Sequence, residues 1–266
     1  MREFAADYLR RTRKGMWDDS RAALEALSLA DRERVVDVGC GTGELSRILA
    51  EACEGQVVGC DADCRLLERA AQYVPVVAAD ARRLPFVDGA ADLVVCQALL
   101  INLHDPEAAV REFSRVSGDL VAAIEPNNGA VTVESSVDAE SRLAERARRA
   151  YLEGIETDVT LGRSVRGIFE SAGIDIVATA RYDNDRSVEP PYDRDELIDA
   201  RRKASGADLA DRRSIMLDGG LHPEAYDELR TDWREMGRAV VHQMATAEYT
   251  RTETVPFYVT VGRVSE

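Results

Sequence analysis

The sequence predicts an α/β fold built on a doubly wound, mostly parallel sheet. Three observations lead to this prediction. Short β-branched runs alternate with helical periodicity from residue 34 to residue 126, the first run ends in a glycine turn, and the chain contains no internal repeats. At 266 residues we expect a single domain, 1–266, with helical insertions. Its core is expected at about 30–126, 164–182 and 254–264. The insertions are expected at 127–163 and 183–253.

The elements follow in order along the chain. The first thirty residues have helical spacing, and Arg34–Val38 is β-branched, as expected of a buried parallel strand. After Gly39, Gly41 and Gly43, helical spacing begins at Glu44. Further strands are predicted at Gln56–Cys60, Val74–Ala78, Asp92–Cys96, Leu120–Ile124, Ile174–Tyr182 and Val255–Arg263. Further helices are predicted around Leu66–Ala70, at Pro106–Val116, 133–153, Ser164–Ala172 and along Tyr226–Ala247.

Composition limits the partners of the chain. It carries 34 basic and 49 acidic residues, a net charge of −15, and all basic residues except Lys14 and Lys203 are arginine. This charge makes a nucleic-acid partner and an anionic membrane surface unfavourable. An acidic, lysine-poor surface is typical of a halophilic-like, salt-adapted protein. A GC-rich genome, which favours arginine over lysine, explains the same composition.

Cysteines, histidines and hydropathy exclude further classes. The five cysteines form no CxxC pair, and the three histidines do not cluster, so we expect reduced thiols and no metal site. The N-terminal stretch has no apolar core, and no run approaches the length of a membrane span. We therefore expect a soluble, cytoplasmic protein with no membrane partner.

The turn after the first strand predicts close approach of a ligand to the backbone. Gly39, Gly41 and Gly43 have the spacing Gly-x-Gly-x-Gly, which differs from the Gly-x-Gly-x-x-Gly of dinucleotide-binding proteins. Glycine leaves room where a Cβ would not fit, and the helix that follows offers free N–H groups.

Acidic residues lie at or near the carboxyl ends of the first three strands. Asp61 ends the second strand, where a carboxylate can accept both hydroxyls of a ribose. Asp80 follows the third strand and could accept from an adenine amino group, with the N–H of Ala81 facing a ring nitrogen. Asp37 lies on the first strand itself. Each aspartate could instead serve as a turn or helix cap, but three at consecutive strand ends favour a nucleoside site.

Four motifs in order resemble the class I S-adenosylmethionine-dependent methyltransferases, particularly the ubiquinone/menaquinone-biosynthesis type. The motifs are VVDVGCGTGELS, VVGCDADCRLLERA, AADARRLPFVDGAADLVVCQALL and DPEAAVREFSRV. The chain departs from that family where two histidines often follow the fourth strand, since Ile101 and Asn102 stand there. His104 is offset by one residue, and we assign it to a surface turn. The Lys-Pro-Gly-Gly turn before the fifth strand is also shortened.

The resemblance implies a Rossmann-like methyltransferase sheet of about seven strands, the last antiparallel, with helical lid insertions. It implies S-adenosyl-L-methionine as cofactor and a methyltransferase reaction with a small-molecule methyl acceptor. The implied cofactor-binding residues are Asp37, Gly39, Cys40, Gly41, Gly43, Asp61, Ala62, Asp80, Ala81 and Gln97.

Methyl transfer to the acceptor would be an in-line displacement, for which the protein supplies alignment and exclusion of water. Gln97 and Asn102 are expected near the methyl group, and Tyr8 and Arg13 resemble N-terminal positions that approach the methionine end. Glu125 could face the acceptor or cap the turn at Pro126. No general base or other catalytic residue is named, because an acceptor with a free lone pair needs none.

Two other functions stay open. The first is an RNA or protein methyltransferase, if basic residues concentrate locally. The arginines concerned are Arg142, Arg146, Arg148, Arg149, Arg201, Arg202, Arg212 and Arg213. Pairing of these arginines with Glu140, Glu145 and Asp211 is the simpler alternative. The second is a cofactor-binding protein without transfer activity. The sequence leaves the oligomeric state open, a homodimer included.

Overall fold

The structure is a computed structural model that describes residues 21–265. The chain forms two compact units within it. The first contains the described residues up to Asn127, then Thr160–Tyr182, and the chain from Pro256 onwards. The second contains Asn128–Val159 and Asp183–Val255, close to the predicted insertions 127–163 and 183–253. The assignment of the chain to a single domain stays a prediction.

Eight strands occur in the described part of the chain. They are β1 (Arg34–Val38), β2 (Gln56–Asp61), β3 (Val76–Ala78), β4 (Ala91–Gln97), β5 (Ser117–Pro126), β6 (Thr132–Ser135), β7 (Ile174–Val188) and β8 (Arg251–Val264). The first unit has the strand order β3-β2-β1-β4-β5-β8, and β7 also pairs with β8. β1 to β5 are parallel and β8 is antiparallel to β5. The predicted doubly wound sheet with an antiparallel last strand is therefore confirmed.

Nine α-helices occur within residues 21–265. They are α1 (Glu44–Ala52), α2 (Cys64–Ala70), α3 (Pro106–Val116), α4 (Asp138–Glu153), α5 (Val165–Ser171), α6 (Arg194–Ser205), α7 (Ala207–Ala210), α8 (Arg213–Asp218) and α9 (Pro223–Ala245). α3 shows why such a segment becomes helical. The side chain of Asp105 accepts from the N–H of Ala108, and Pro106 occupies the first helical turn.

The strand order reverses between β1 and β4. β1 lies between β2 and β4, so connections run away from it on both sides. Parallel sheets bind ligands beyond the carboxyl ends of their strands at such a point. β4 and β5 beside it are almost completely buried, as expected of strands covered on both faces. This end of β1 and β4 is therefore where a site is expected.

The second unit has its own apolar core. The stripe predicted along the long helix is confirmed, since Tyr226, Leu229, Trp233 and Met236 of α9 are all buried. α9 packs along α6. Gly237 permits the close approach, because a Cβ there would lie 2.3 Å from the backbone nitrogen of Ala204. Propensity alone would not favour glycine within a helix.

Several predicted boundaries were wrong. The start of the predicted helix at 133–153 is strand β6, which pairs antiparallel with the beginning of β8. β7 continues to Val188, six residues beyond its predicted end, and β8 begins at Arg251. Long-range strand pairing determines these ends, and local periodicity does not report it. Arg21–Leu27 and Leu29–Asp31 are short 3₁₀ helices. The predicted N-terminal positions Tyr8 and Arg13 lie outside the described residues.

No helix between residues 21 and 265 has the length and apolar character that a bilayer span requires.

Candidate functional site

The glycine turn after β1 has the backbone conformation that the sequence predicts. Gly39, Gly41 and Gly43 all have positive φ, 72°, 57° and 89°. A Cβ on Gly39 would lie 2.8 Å from a Leu99 methyl group, and one on Gly43 would lie 2.9 Å from the Cα of Ala70. A side chain on Gly39 or Gly43 would meet both a strained backbone and occupied space, and one on Gly41 would meet the strained backbone. The turn therefore requires glycine at these positions.

The turn is bonded to the end of β2. The N–H groups of Gly39 and Cys40 both donate to the carbonyl oxygen of Cys60, at 2.7 and 3.0 Å. The Cys40 side chain is buried below the turn. Burial, together with the charges of Asp37 and Asp61, raises the pKa of its thiol. The Cys40 thiol is thus a neutral packing group, its backbone groups bond within the turn and to β2, and the cofactor contact expected for it stays a prediction.

Asp61 joins the turn to the loop after β2. Its Oδ2 accepts from the N–H of Gly41 at 2.9 Å, and its Oδ1 accepts from the N–H of Asp63 at 2.9 Å. The side chain is half-buried, and Ala62 beside it is exposed. The sequence predicted Asp61 as a ligand-facing acid but did not predict the bond to Gly41. The glycine turn after β1 and the acid at the end of β2 are therefore joined directly by a hydrogen bond.

Asp37 lies behind the turn. It is 1% exposed, and its Oδ2 accepts from the hydroxyl of Ser46 at 2.5 Å. This bond connects β1 to the first turn of α1. The Asp37 side chain is therefore buried inside the protein and bonded to α1. The cofactor contact expected for Asp37 stays a prediction.

Asp80 and Ala81 follow β3 as predicted. Asp80 is exposed and forms a two-point ion pair with Arg82, whose Nη2 and Nε donate to its two oxygens at 2.7 and 3.0 Å. The hydrogen bonds from Arg82 lower the pKa of Asp80 to about 2. Asp80 is therefore a fixed anion at neutral pH, and the buried Ala81 lies next to it. This ion pair was not among the sequence predictions.

The loop after β4 brings Gln97 and Asn102 to the same region. Gln97 is the last residue of β4 and is 2% exposed. Asn102 is buried and its side-chain amide donates to the carbonyl oxygen of Ala98 at 2.8 Å. Ala98 has a φ of +49°, which is unusual for a residue with a Cβ. The loop is therefore held in a tight and specific conformation.

Glu125 is the group that holds this loop. It lies on β5, is fully buried, and accepts from three successive backbone N–H groups, those of Leu99 (3.0 Å), Leu100 (2.9 Å) and Ile101 (3.4 Å). Burial raises its pKa to about 7, although the three N–H groups act in the opposite direction. Its carboxylate thus caps the short helix Leu100–Asn102. The signal in the sequence was an acid directly after the apolar run Leu120–Ile124.

The chain has further residues of the types that serve as catalysts or metal ligands. His104 is exposed, as expected for a surface turn. Among residues 21–265 no group of His, Cys, Asp and Glu side chains could hold a metal ion. All five cysteines are free, and Cys64 is the exposed one.

The arginines of the second unit are largely engaged within that unit. Arg202 pairs with Asp208 at 2.8 Å and with Asp211 at 2.5 Å. Arg212 and Arg213 lie over aromatic rings. Glu140 does not pair with the arginines predicted for it. This carboxylate is 1% exposed and contacts Lys203, Arg251 and the hydroxyl of Tyr249.

Comparison with known proteins identifies the family. A methyltransferase-domain family profile matches residues 36–119. The demethylmenaquinone methyltransferase of Mycolicibacterium vanbaalenii is 39% identical over 98 residues, 36% of this chain and 42% of the relative. That of Mycolicibacterium paratuberculosis is 30% identical over 159 residues, 58% of this chain and 69% of the relative. For the first three curated relatives, the match spans less than half of their own length.

A solved structure supports the fold. A Bacillus halodurans protein described as a methyltransferase superposes with a TM-score of 0.54 at 16% identity, covering 94% of this chain and 100% of that one. The matched residues 36–119 include the glycine turn and the acid at the end of β2. The chain belongs to the class I S-adenosylmethionine-dependent methyltransferases of the ubiquinone/menaquinone-biosynthesis type.

Proposed function

We propose that the chain transfers the methyl group of S-adenosylmethionine to a small-molecule acceptor by in-line displacement. The observation that carries this proposal is the carboxylate of Asp61, which lies bonded to Gly41 of the glycine turn and remains half-exposed beside it. An acid held in this way can accept from ribose hydroxyls while the turn allows the rest of the nucleoside to approach the backbone. Family membership supports the same cofactor.

Each part of the site has one proposed task. Asp61 would hold the ribose and Asp80 the adenine amino group, while the N–H of Ala81 would face a ring nitrogen. Gln97 would line the end nearest the reacting methyl group. When bound, the cofactor supplies a methyl group on a sulfonium, which is already a strong electrophile. The protein residues therefore need to align the acceptor and exclude water more than to move protons.

The small-molecule acceptor is supported by the acidic surface and by the names of the relatives. A net charge of −15 is unfavourable for an RNA substrate, and the relatives above are named for a quinone precursor. The arginines that could have formed a basic surface include several that contact acids or rings within their own unit. The lid role of the insertions and the cytoplasmic location stay predictions.

Calorimetric titration with S-adenosylmethionine and its demethylated product tests cofactor binding. Asp61→Asn keeps one acceptor oxygen for the glycine turn but loses the charge, and we expect affinity to fall by about 10- to 100-fold. Asp92→Asn is the matched control. Asp92 also accepts from two backbone N–H groups, those of Glu33 and Arg34, but at the opposite end of β1. Equal losses in both variants, or no binding by the wild type, would refute the proposal.

Turnover assays then separate the functions. Phenols, quinone precursors, amines and carboxylates are offered with labelled cofactor, and bulk RNA and protein are offered in parallel. We expect transfer to at least one small molecule. Cofactor binding without any transfer would favour the non-catalytic alternative, and transfer only to RNA or protein would refute the small-molecule acceptor.

A further inference from the structure

β7 is an edge strand of the sheet. It pairs with β8 on one side, and no further strand within residues 21–265 pairs with its outer side. Such an edge presents a row of backbone N–H and C=O groups that another strand can bind. The part of β7 that belongs to the first unit, Ile174–Tyr182, is here named the edge segment.

The edge segment has one fully exposed face. Asp175, Val177, Thr179 and Arg181 alternate along it and are all exposed, and Val177 is 51% exposed. Ile174 begins the opposite face and is buried. Because alternate side chains of a strand point to the same face, the four exposed residues form a single row. This row contains one acid, one base and two β-branched residues.

We propose that the edge segment is a dimerisation surface that pairs antiparallel with the same segment of a second copy of this chain, centred on Ala178. A two-fold axis at Ala178 places residues equally distant from it opposite each other. Asp175 and Arg181 are each three residues away, so they form two identical acid–base pairs. Val177 and Thr179 are each one residue away and form two β-branched pairs. Pairs of both kinds stabilise antiparallel strands.

This register is specific. Moving the axis by one residue along the strand, to Val177 or Thr179, would place Arg181 opposite Gly173 or Val177 and remove the charge pairs. Charges that only protect an edge from aggregation need not have opposite signs at equal distances from one residue. Two chains of net charge −15 repel each other, so a locally complementary surface is what a dimer of this protein requires.

Sedimentation velocity over a wide range of protein concentration tests the proposal. We expect a reversible dimer for the wild type, with Asp175→Arg weakening association by roughly tenfold or more. This variant makes the net charge less negative, so general repulsion predicts the opposite result. Arg181→Asp should also weaken the dimer, and the double variant Asp175→Arg, Arg181→Asp should restore it because the pairs re-form with exchanged signs.

The control is Glu51→Arg, which makes the same charge change at an exposed position of α1 and should not weaken association. Thermal unfolding of each variant verifies that the fold is retained. A wild type that stays monomeric at every concentration would overturn the proposal and assign the charges to protection of the edge. A dimer that is insensitive to Asp175→Arg, or is not restored in the double variant, would overturn it as well.

Discussion

Replacing Glu125 by glutamine tests how a buried carboxylate holds the loop after β4. Glutamine retains an oxygen that can accept from Leu99 and Leu100, which both donate to Oε1 in the wild type. Its amide nitrogen would face the N–H of Ile101, which donates to Oε2. An unsatisfied buried N–H costs about 1–3 kcal/mol. This loss is independent of pH.

The pH-dependent part follows from the pKa of Glu125, which is raised from 4.5 to about 7 by burial. A carboxyl whose pKa is higher in the folded chain binds its proton more tightly when folded. Its contribution to stability is therefore fully present below pH 4.5 and is lost as the pH rises towards 7. At about 1.4 kcal/mol for each pKa unit, the wild type loses about 3 kcal/mol through this group. Glutamine has no such dependence.

Urea unfolding of both proteins between about pH 5 and pH 8 measures the effect. The free energy of unfolding of the wild type minus that of Glu125→Gln should fall by about 2–3 kcal/mol over this range, because contributions from all other groups cancel. Glu51→Gln, on the exposed side of α1, is the control for removal of a negative charge. Parallel pH profiles for wild type and Glu125→Gln would refute the reasoning.

Three further changes have defined outcomes. Gly43→Ala should destabilise the fold by about 1–3 kcal/mol in denaturant unfolding, more than Gly89→Ala, since both have positive φ but only Gly43 has a backbone atom 2.9 Å from the added Cβ. Lys203→Met should cost about 3–5 kcal/mol because it leaves the buried Glu140 short of a cation, and adding Glu140→Gln should recover part of that loss. Asp80→Asn should weaken cofactor binding equally at pH 5 and pH 8 in calorimetry. The guanidinium of Arg82 lowers the pKa of Asp80 to about 2, so the wild-type carboxylate is charged at both pH values. A loss of affinity confined to high pH would contradict this.

The sequence alone determined the features that depend on local chemistry. Glycine at positions 39, 41 and 43 could be interpreted because positive φ is a property of a single residue, and the structure has it at all three. The parallel strands and the stripe of α9 could be predicted because burial imposes periods of two and 3.6 residues. The acids could be assigned to one edge of the sheet because the same periodicity predicts where each strand ends.

Only the tertiary structure decided how these features meet. Asp61 and Gly41 are twenty residues apart, yet one hydrogen bond joins them. Glu125 caps a loop twenty-four to twenty-six residues before it, and β6 is a strand because β8 pairs with it. Such contacts depend on which strands become neighbours, and their energy comes from partners distant in sequence. Local propensity and spacing therefore predicted the elements and the site's composition, while the long-range pairing of strands fixed its geometry.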